Sequence, residues 1–472
     1  MKGAIAAGHE LTAEAGARVL AEGGNAVDAC VAAGFASWVA ESPLTGPGGG
    51  GFMLVHRARD RSTRVLDFFT AMPGRGRKGP ALAVPEAVDV DFSGGTNQIF
   101  QIGPASVAVP GTARGLEEAH RLYGSLPWRE LVAPAAELAR TGFELTRPQA
   151  YLHAILDLIL RRDDEGRRIY GQAGERLAAG DTLRLDELGR TLDRVAAEGS
   201  APLYDGELAF ALTEATGGVV TSRDLAEYRT IVRKPVLQPF RGAEFRSNPP
   251  PSAGGRLVAR GLARLDEEPD GPPGSAEAID ALAAAMRDGV HALVSGTTHV
   301  SVVDADGNAA AMTCSTGSGS GVFVPGSGIQ LNNMLGEFFL ARSVRAGQRL
   351  SSMMSPSIIT ERGRVRLVVG SAGSLRLRGA VLQVVVNVVG HGLGVEEAIE
   401  RPRVHLEGDH LHCEGGNDPA ALDRLEQLGW DVVRWRRRNL YFGGAAAVEL
   451  RSDGTLAASG DPRRGGHGIV VP

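Results

Sequence analysis

The sequence predicts a four-layer αββα sandwich of the α/β class, with two β-sheets packed between two layers of helices. Helical patterns dominate the first part of the chain, and short apolar strand patterns dominate from residue 297 onward. Every sheet and every helix must cover an apolar face. Two sheets packed between two helical layers cover the apolar faces of the strands and of the helices. The chain has 472 residues, of which 43% are hydrophobic and 22% are charged. This composition is that of a globular protein with a large core, and we expect one structural domain.

Two helices are predicted at the start of the chain. Thr12 can cap the first helix, which the Gly23-Gly24 pair ends. Asn25 can cap a second helix over residues 26–38, whose side chains are apolar nearly all round. Because such a helix has no polar face to turn toward solvent, we expect it to be buried.

A run of glycines at residues 46–51 follows the second helix and precedes a predicted strand at residues 52–55. The run has the GxGxxG spacing of dinucleotide-binding loops, but those loops follow a strand and open a helix, and here the order is reversed. We therefore interpret it as a loop that lets backbones approach closely, and we predict no cofactor. The strand at residues 52–55 forms a predicted hairpin with a strand at residues 65–68.

The remaining elements divide at residue 297. Helices are predicted to dominate from residue 112 to about residue 263, followed by an acidic loop at 266–274 and a helix at 280–293. The elements expected after residue 297 are a hairpin of residues 299–303 and 309–313 around the Asp-Gly turn at 304–308, strands at 365–369 and 445–450, and a helix at 380–389.

Charge and cysteine content argue against several classes of protein. The net charge is −5 and the basic residues are scattered, so neither nucleic acid nor a membrane surface is an expected partner. Cys30, Cys314 and Cys413 are far apart and form no CxxC pair, which indicates neither a disulfide framework nor a metal site. The chain has no apolar stretch of about 18 residues, and the apolar segment at its start is too short for a signal peptide. We expect a cytoplasmic protein.

The most informative segment runs from Gly296 to Asp304, in which Thr297 begins a predicted strand. Taken alone, a Thr-Thr-His strand start shows only good β-propensity. However, motifs along the whole chain occur in an order that resembles the gamma-glutamyltranspeptidase family of the N-terminal nucleophile hydrolase superfamily, of which the chain looks like a divergent member. These motifs lie at residues 14–16, 23–29, 48–52, 109–112, 249–255, 297–303, 304–308, 331–333, 350–352, 355–356 and 370–373.

The resemblance implies a precursor that cleaves itself between Gly296 and Thr297. Residues 1–296 would form a large subunit and residues 297–472 a small one, together one structural domain with the four-layer fold of N-terminal nucleophile hydrolases. The Thr297 hydroxyl would attack the Gly296 carbonyl, and an N-to-O acyl shift followed by hydrolysis would free the threonine amine. Because an α-amine has a pKa of ~8, it can accept the hydroxyl proton near neutral pH, and one residue supplies nucleophile and base.

The resemblance also implies further site residues. Ser315 stands where the family has a threonine that hydrogen-bonds the nucleophile, and Gly373 with Ser374 stands where the family has its oxyanion hole. Ser351 and Ser352 match the family's paired serines at the acyl group. For two serines considered alone, a turn or helix cap is the simpler interpretation.

Departures from the family pattern concern the pocket for the acyl group. Phe69 stands where the family has an arginine that binds the substrate α-carboxylate, and an aromatic ring cannot replace a bidentate charged clamp. Glu337 replaces the shorter acid that binds the substrate amine, and Met334 replaces a glutamine-like position. The lid before the paired serines is reduced to residues 339–350, and the stretch at 255–297 is also short. We therefore expect the substrate pocket to differ in shape and charge from that of typical family members.

Three functional hypotheses remain open, each with a small molecule as partner. The first is an autoprocessed amidohydrolase or acyltransferase that acts on gamma-glutamyl compounds such as glutathione conjugates. The second keeps this chemistry but uses an acyl group without an α-amino acid head, such as a dicarboxylic or β-lactam side-chain amide. The third is an uncleaved, inactive homologue that only binds ligands. In each case a homo-oligomer is compatible with the sequence.

Overall fold

A computed structural model describes residues 1–77, 79, 84–91, 97–267, 271–287, 296–337, 344–373 and 376–472 of the chain. The helices are, in chain order, α1 (Glu10–Ala21), α2 (Ala26–Ala40), α3 (Thr112–Tyr123), α4 (Trp128–Thr141), α5 (Arg147–Ile155), α6 (Asp157–Leu160), α7 (Asp164–Ile169), α8 (Asp186–Glu198), α9 (Glu207–Ala215), α10 (Ser222–Ala226), α11 (Gly254–Glu267), α12 (Ala276–Met286), α13 (Met334–Glu337), α14 (Arg376–Val385), α15 (Val395–Glu400) and α16 (Pro419–Gln427). The strands are β1 (Gly3–Ala7), β2 (Gly50–Arg57), β3 (Ser62–Phe68), β4 (Glu86–Asp91), β5 (Asn97–Ile102), β6 (Phe143–Glu144), β7 (Gly171–Gln172), β8 (Glu175–Arg176), β9 (Thr182–Leu183), β10 (Ile231–Arg233), β11 (Val236–Phe240), β12 (Ala243–Ser247), β13 (Thr298–Asp304), β14 (Ala309–Ser315), β15 (Phe323–Val324), β16 (Ile329–Gln330), β17 (Ser357–Glu361), β18 (Arg364–Ala372), β19 (Val404–Glu407), β20 (His410–Cys413), β21 (Asp431–Arg434), β22 (Gly444–Leu450), β23 (Leu456–Gly460) and β24 (His467–Val471).

Two antiparallel sheets form the centre of the molecule. The first has seven strands in the order β10-β3-β2-β14-β13-β1-β24, and the second has six in the order β11-β12-β17-β18-β22-β23. Apolar side chains such as Phe52, Val303 and Val368 fill the space between the sheets. Helices α1 and α2 cover the outer face of the first sheet, and α11, α14 and α15 cover the outer face of the second. The predicted four-layer αββα arrangement is confirmed.

Helix α1 begins earlier than the sequence predicts. Its N-cap is His9, whose Nδ1 accepts a hydrogen bond from the backbone N–H of Leu11 at 3.2 Å. The prediction that Thr12 caps the helix is wrong, because Thr12 is buried inside it and donates to the Glu41 carboxylate at 2.9 Å. A histidine ring nitrogen can accept the same hydrogen bond as a hydroxyl, although cap preferences centre on Ser, Thr, Asp and Asn.

The buried helix α2 and its cap are confirmed. The Asn25 side chain accepts from the backbone N–H groups of Val27 and Asp28, and Asp28 accepts from the Asn25 N–H at 3.0 Å. All 15 residues of the helix are buried, as its apolar pattern predicts, and it extends two residues beyond the predicted end. Within the part of the chain that the structure describes, no helix is long and apolar enough to cross a membrane.

Several strands were not anticipated from the sequence. Strand β1 lies in the interior of the first sheet, between β13 and β24, although its five small apolar residues show no alternation. Strands β10, β11 and β12 fall within the stretch predicted to be mainly helical, and that prediction is wrong for residues 231–247. In β12 buried and half-buried residues alternate, but a period of two over five residues is too short to compete with the helical patterns around it.

The hairpin of β13 and β14 is confirmed, as are the strands β2, β3, β18 and β22. In the turn, one Asp304 carboxylate oxygen accepts from the backbone N–H groups of Asp306 at 3.0 Å and Asn308 at 2.9 Å. The other oxygen accepts from the Ala26 N–H at 3.0 Å. One side chain therefore ties the turn to the start of α2.

Other predicted elements lie near the observed ones. The helix expected at 280–293 is α12, which ends at Met286, and residues 288–295 lie outside the described residues. In the loop expected at 266–274, α11 continues to Glu267, and residues 268–270 are not described. The helix expected at 380–389 is α14 with a following π-turn at Val386–Gly390.

Candidate active site

Thr297 directly precedes strand β13 in the middle of the first sheet. Its side chain is 1% exposed, and its Oγ1 atom has no hydrogen-bond partner among the described residues. An unpaired buried hydroxyl costs free energy, so it does not serve stability. The position suits a nucleophile whose oxygen is free to attack.

The carbonyl group that precedes this threonine is held by a hydrogen bond. The Ser315 hydroxyl donates to the Gly296 carbonyl oxygen, and its own oxygen accepts from the Gly317 N–H at 2.7 Å. Gly296 in turn donates its N–H to the Gly317 carbonyl at 3.0 Å. The register of β13 and β14 pairs Thr298 with Cys314, which places Ser315 opposite Thr297. A hydroxyl that donates to a carbonyl oxygen can stabilise the negative charge that develops there during attack.

A close approach of backbones explains the glycine at position 296. A Cβ atom on Gly296 would lie 2.6 Å from the Gly317 carbonyl oxygen and 2.7 Å from a Leu44 methyl group. The φ angle of Gly296 is not in the left-handed region, so glycine is needed here for lack of space and not for its backbone conformation. Any larger residue would displace the segment that carries the Gly296 carbonyl.

The glycine run at residues 46–51 packs against the same site as a loop. A Cβ on Gly49 would lie 2.4 Å from the Ser315 carbonyl oxygen, and a Cβ on Gly48 would lie 2.2 Å from the Gln330 carbonyl oxygen. The Asn332 amide donates to the Gly48 carbonyl at 2.7 Å. The interpretation of this run as a loop for close backbone approach is confirmed.

A buried carboxyl group lies beside the nucleophile. Glu41, the C-cap of α2, accepts hydrogen bonds from the hydroxyls of Thr298 at 2.6 Å and Thr12 at 2.9 Å. Burial raises the pKa of Glu41 to about 7, against the opposing effect of the two hydroxyls and of the Arg464 charge. The group can therefore change its charge near neutral pH, next to the residue that follows Thr297.

His299 has a structural role. Its ring nitrogens bond the hydroxyls of Thr313 at 2.7 Å and Ser301 at 2.9 Å, and burial lowers its pKa to about 3. A Cβ on Gly370 would lie 2.2 Å from the imidazole, so the second sheet makes room for the ring with a glycine. His299 is thus neutral and fixed between the two sheets.

A cavity of about 250 Å³ lies beside Thr297. Its wall consists of the end of α2, helix α5 and two segments at 438–446 and 461–466. An apolar cavity with a few converging polar groups is typical of small-molecule sites. The polar and charged residues on its wall are His9, Glu41, Gln149, Tyr151, His153, Thr297, His299, Arg438, Asn439, Asp461, Arg463 and Arg464.

Gly373 follows strand β18 near the wall of this cavity, where Ala372 lines it. Its φ is +121°, a conformation that L side chains avoid. A Cβ there would lie 2.9 Å from the Gly443 Cα and 3.2 Å from Nη2 of Arg464. Ser374, the other residue expected at the oxyanion hole, lies outside the described residues.

Ser351 and Ser352 do not line the cavity that contains Thr297. The Ser352 carbonyl accepts from the backbone N–H groups of Ala253 at 2.8 Å and Gly254 at 3.0 Å, and its hydroxyl accepts from the Met354 N–H at 3.1 Å. These contacts agree with the simpler interpretation of a serine that stabilises a turn. A role at the acyl group stays a prediction for both serines.

Phe69 and Glu337 were expected at the acyl pocket. Phe69 is 1% exposed and stacks on Phe52 with ring centroids 5.4 Å apart, in the core between the two sheets. It does not line the cavity beside Thr297. Glu337 is the last residue of α13, and its side chain lies outside the description, as do residues 338–343 of the shortened lid. From the predicted set, the structure brings Ser315 to the Gly296–Thr297 peptide bond and places Gly373 next to Ala372, which lines the cavity.

Sequence reasoning missed Glu41, Arg438 and Arg464 on the cavity wall. Each comes from a segment far from Thr297 along the chain, and nothing in the local pattern marks it. The Arg463-Arg464 pair after Asp461 and Pro462 is visible in the sequence, but its burial depends on long-range packing.

Known proteins resemble this chain over nearly its whole length. The profile of the family described as Gamma-glutamyltranspeptidase matches residues 12–294 and 287–471. The Acylase ACY 1 proenzyme of Pseudomonas sp. (strain SE83) is 31% identical over 530 aligned residues, which cover 100% of this chain and 94% of the acylase. The Glutathione hydrolase proenzyme of Escherichia coli (strain K12) is 30% identical over 537 aligned residues, which cover 98% of this chain and 90% of that protein.

A solved structure supports the fold. The cephalosporin acylase from Bacillus halodurans matches with a TM-score of 0.87 at 23% identity, over 99% of this chain and 95% of that one. The chain therefore has the same overall fold as this acylase. With a profile match and relatives that both extend along the chain, the sequence resemblance is confirmed. The chain belongs to the gamma-glutamyltranspeptidase family.

Proposed function

We propose that the chain is an autoprocessing amidohydrolase or acyltransferase with Thr297 as its nucleophile. The observation that carries this proposal is the buried Thr297 hydroxyl, which has no hydrogen-bond partner in the described parts of the chain and lies next to a Gly296 carbonyl that accepts a hydrogen bond from Ser315. Family membership supports it, because the acylase and the glutathione hydrolase that resemble the chain are both named proenzymes. Residues 1–296 become the large subunit and residues 297–472 the small one, within one structural domain.

Processing requires only water in addition to the chain. Thr297 Oγ1 attacks the Gly296 carbonyl carbon, the C–N bond breaks, and the hydroxyl proton passes to the departing nitrogen. Water then hydrolyses the resulting ester, which leaves a carboxylate on Gly296 and a free amine on Thr297. The Ser315 hydroxyl stabilises the oxyanion of the first step.

Turnover uses the same oxygen. The new α-amine accepts the Thr297 hydroxyl proton, the oxygen attacks the substrate amide, and the amine part leaves with the proton. The acyl ester on Thr297 is then transferred to water or to an amine. The backbone N–H at the Gly373 turn is the proposed oxyanion donor, which the position of Gly373 next to Ala372 on the cavity wall supports.

The acyl group has two candidate classes. A gamma-glutamyl group is the first, since one relative is named a glutathione hydrolase. An acyl group without an α-amino acid head is the second, since another is named an acylase. The burial of Phe69 between the sheets favours the second, because this position provides no cation for an α-carboxylate. Release of glutamate from glutathione by the processed protein would establish the first class.

The experiment that tests the nucleophile is intact mass spectrometry with N-terminal sequencing of wild type, Thr297→Ala and Thr297→Ser. We expect two fragments from wild type, the smaller beginning at Thr297, and two fragments from Thr297→Ser, because serine retains a hydroxyl. Thr297→Ala should remain a single chain. An uncut wild type, or cleavage in Thr297→Ala, would contradict the proposal and favour a protein that only binds ligands.

A further inference from the structure

The carboxyl group of Glu41 lies at the end of helix α2, on the wall of the cavity that contains Thr297. One of its carboxylate oxygens, Oε2, accepts a hydrogen bond at 2.6 Å from the hydroxyl of Thr298, the residue after the nucleophile. A Cβ atom on Gly8 would lie 2.5 Å from the same oxygen, so a glycine there leaves room for the carboxyl group. Glu41 thus contacts the residue next to Thr297 and borders the same cavity.

The surroundings of Glu41 allow both of its charge states. Its other oxygen, Oε1, accepts a hydrogen bond from the Thr12 hydroxyl at 2.9 Å. Burial raises the pKa of Glu41 to about 7, while the hydroxyls of Thr298 and Thr12 and the charge of Arg464 act in the opposite direction. Arg464 lines the same cavity, and its charge favours the ionised form of the carboxyl group. Near neutral pH the carboxyl group is therefore present in comparable amounts with and without its proton.

The histidines on the cavity wall are poorer proton acceptors than Glu41. Nδ1 of His9 already accepts a hydrogen bond from a backbone N–H of helix α1 at 3.2 Å, and burial lowers the pKa of this ring. Both ring nitrogens of His299 are bonded to hydroxyl groups, and burial lowers its pKa to about 3. Burial is also the main reason that the pKa of His153 is lowered to about 4. The interior thus disfavours a proton on each of these imidazoles.

The other ionisable groups around Glu41 keep one charge state near neutral pH. Burial, followed by the Glu41 charge, raises the pKa of the Cys314 thiol on strand β14, which therefore stays protonated. Burial also acts to raise the pKa of Asp461, but the charges of Arg403 and Arg463 outweigh it and keep this carboxyl group ionised. The cations on the described part of the cavity wall are Arg438, Arg463 and Arg464. On that part of the wall, Glu41 is the carboxyl group that can take up and release a proton at neutral pH.

The first attack needs a base other than the base of turnover. Before cleavage, the Thr297 nitrogen belongs to the peptide bond with Gly296, and its lone pair is delocalised into the carbonyl group. The α-amine that accepts the hydroxyl proton during turnover therefore does not yet exist. A proton acceptor with a pKa close to the working pH is the most effective general base for such a step.

We propose that Glu41 is the general base of self-cleavage and accepts the Thr297 hydroxyl proton, directly or through one water molecule. The threonine oxygen forms a bond to the Gly296 carbonyl carbon, the C–N bond breaks, and Glu41 returns the proton to the departing nitrogen. The carboxylate is regenerated, so the step consumes no further reactant. This proposal rests on the proposed function, to which it adds the proton acceptor of the first step.

A purely structural role for Glu41 makes different predictions. Its hydrogen bonds to Thr12 and Thr298 connect α1, α2 and β13, and such a connection does not require a negative charge. A glutamine keeps an oxygen acceptor and nearly the same shape, so a structural role predicts normal cleavage in Glu41→Gln. A base must instead lose its proton before it acts, so the cleavage rate must rise with pH as the carboxyl group ionises.

The test follows the rate of self-cleavage as a function of pH. Wild type, Glu41→Gln and Glu41→Asp are made by cell-free synthesis and diluted into buffers from about pH 5 to about pH 9, and a denaturing gel follows the small fragment. We expect the wild-type rate to rise with a midpoint near pH 7 and then to level off. Glu41→Gln should cleave about 100-fold more slowly at the plateau and without this rise. Glu41→Asp should retain the rise and part of the rate.

A second variant changes the pH profile without removing the base. Thr12→Val removes a hydroxyl whose hydrogen bond lowers the pKa of Glu41, so the midpoint should shift to higher pH with little change in the plateau rate. The matched control is Thr191→Val, which removes a buried helical hydroxyl that donates to the Ser327 carbonyl at 2.9 Å, outside the cavity wall. Its midpoint should stay at the wild-type pH. A structural role for Glu41 predicts no shift in either variant.

Other outcomes contradict the proposal and differ from a failure of the proposed function. A wild-type rate that does not change with pH, or cleavage of Glu41→Gln at the wild-type rate, would show that another group accepts the proton. A slow Glu41→Gln together with an unshifted midpoint in Thr12→Val would assign Glu41 to structure alone. If urea unfolding on the Thr297→Ala background shows that Glu41→Gln does not fold, the midpoint in Thr12→Val decides the question. A wild type that stays uncut at every pH contradicts the proposed function itself.

Discussion

The two ends of strand β13 differ in how their polar groups are satisfied. At one end, the Asp304 carboxylate accepts hydrogen bonds from three backbone N–H groups and from the Asn308 amide. At the other end, the Thr297 hydroxyl is equally buried but has no partner among the described residues. A buried polar group with hydrogen-bond partners stabilises the fold, whereas a buried polar group without them is available for a chemical reaction. Strand β13 is therefore held in place by hydrogen bonds at its Asp304 end and presents a reactive hydroxyl at its Thr297 end.

We expect the largest effect from a substitution at the Thr297 end of β13, on the rate of self-cleavage. Ser315→Ala removes the donor to the Gly296 carbonyl and should slow self-cleavage by about 10²- to 10³-fold, as for the loss of one oxyanion donor. The measurement is the time course of the small fragment on a denaturing gel after synthesis in a cell-free system. Ser315→Thr retains a hydroxyl and serves as the control. Cleavage of Ser315→Ala at the wild-type rate would show that this hydrogen bond is only structural.

We expect a smaller effect from a substitution at the Asp304 end of β13, on the stability of the protein. Asp304→Ala leaves several buried N–H groups unpaired and should lower the free energy of unfolding by about 3 kcal/mol. Urea unfolding on the uncleaved Thr297→Ala background measures this without a contribution from processing. The matched control is Asp306→Ala, an exposed neighbour in the same turn, which should change stability by less than about 0.5 kcal/mol. Equal effects of the two substitutions would mean that Asp304 does not anchor the strand.

The smallest expected effect concerns Glu41, which has hydrogen bonds but an unfavourable charge. Burial raises its pKa in the folded protein from the usual 4.5 to about 7, so the associated stability is present below pH 4.5 and is lost as pH rises through 7. Between pH 5 and pH 8 this loss amounts to about 2 kcal/mol. Glu41→Gln, again on the Thr297→Ala background, should remove that part of the pH dependence in urea unfolding. An identical pH dependence in both proteins would rule out a titration of Glu41 in this range.

Local signals explain which parts of the fold were predictable. The Asn25 cap and the Asp304 turn depend on residues two to four positions away, and both were predicted from the sequence. Strand β1 was missed because its place in the sheet depends on pairing with residues about 300 positions later. His9 was missed as a cap because only the structure shows that its ring nitrogen faces the Leu11 N–H.

The candidate site shows the same limit. Thr297, Gly296 and Ser315 could be named because they lie on a motif shared with a known family, and the structure brings them together. Arg464 could not, because its place on the cavity wall depends on packing between segments that are far apart in the chain. Phe69 was expected at the pocket because of the residue it replaces. In the structure it stacks on Phe52 in the core between the sheets, and a role at the acyl group stays a prediction.

The order of strands has a consequence for assembly. Cleavage before Thr297 would produce two polypeptides whose strands are interleaved, because β1 of the first piece lies between β13 and β24 of the second. In the other sheet, β12 of the first piece pairs with β17 of the second. Separating the two polypeptides would break the hydrogen bonds between neighbouring strands in both sheets. The two polypeptides would therefore stay associated without a covalent link. The cleaved molecule would then be a kinetically trapped product of the folded precursor, which mixing of separated pieces does not readily restore.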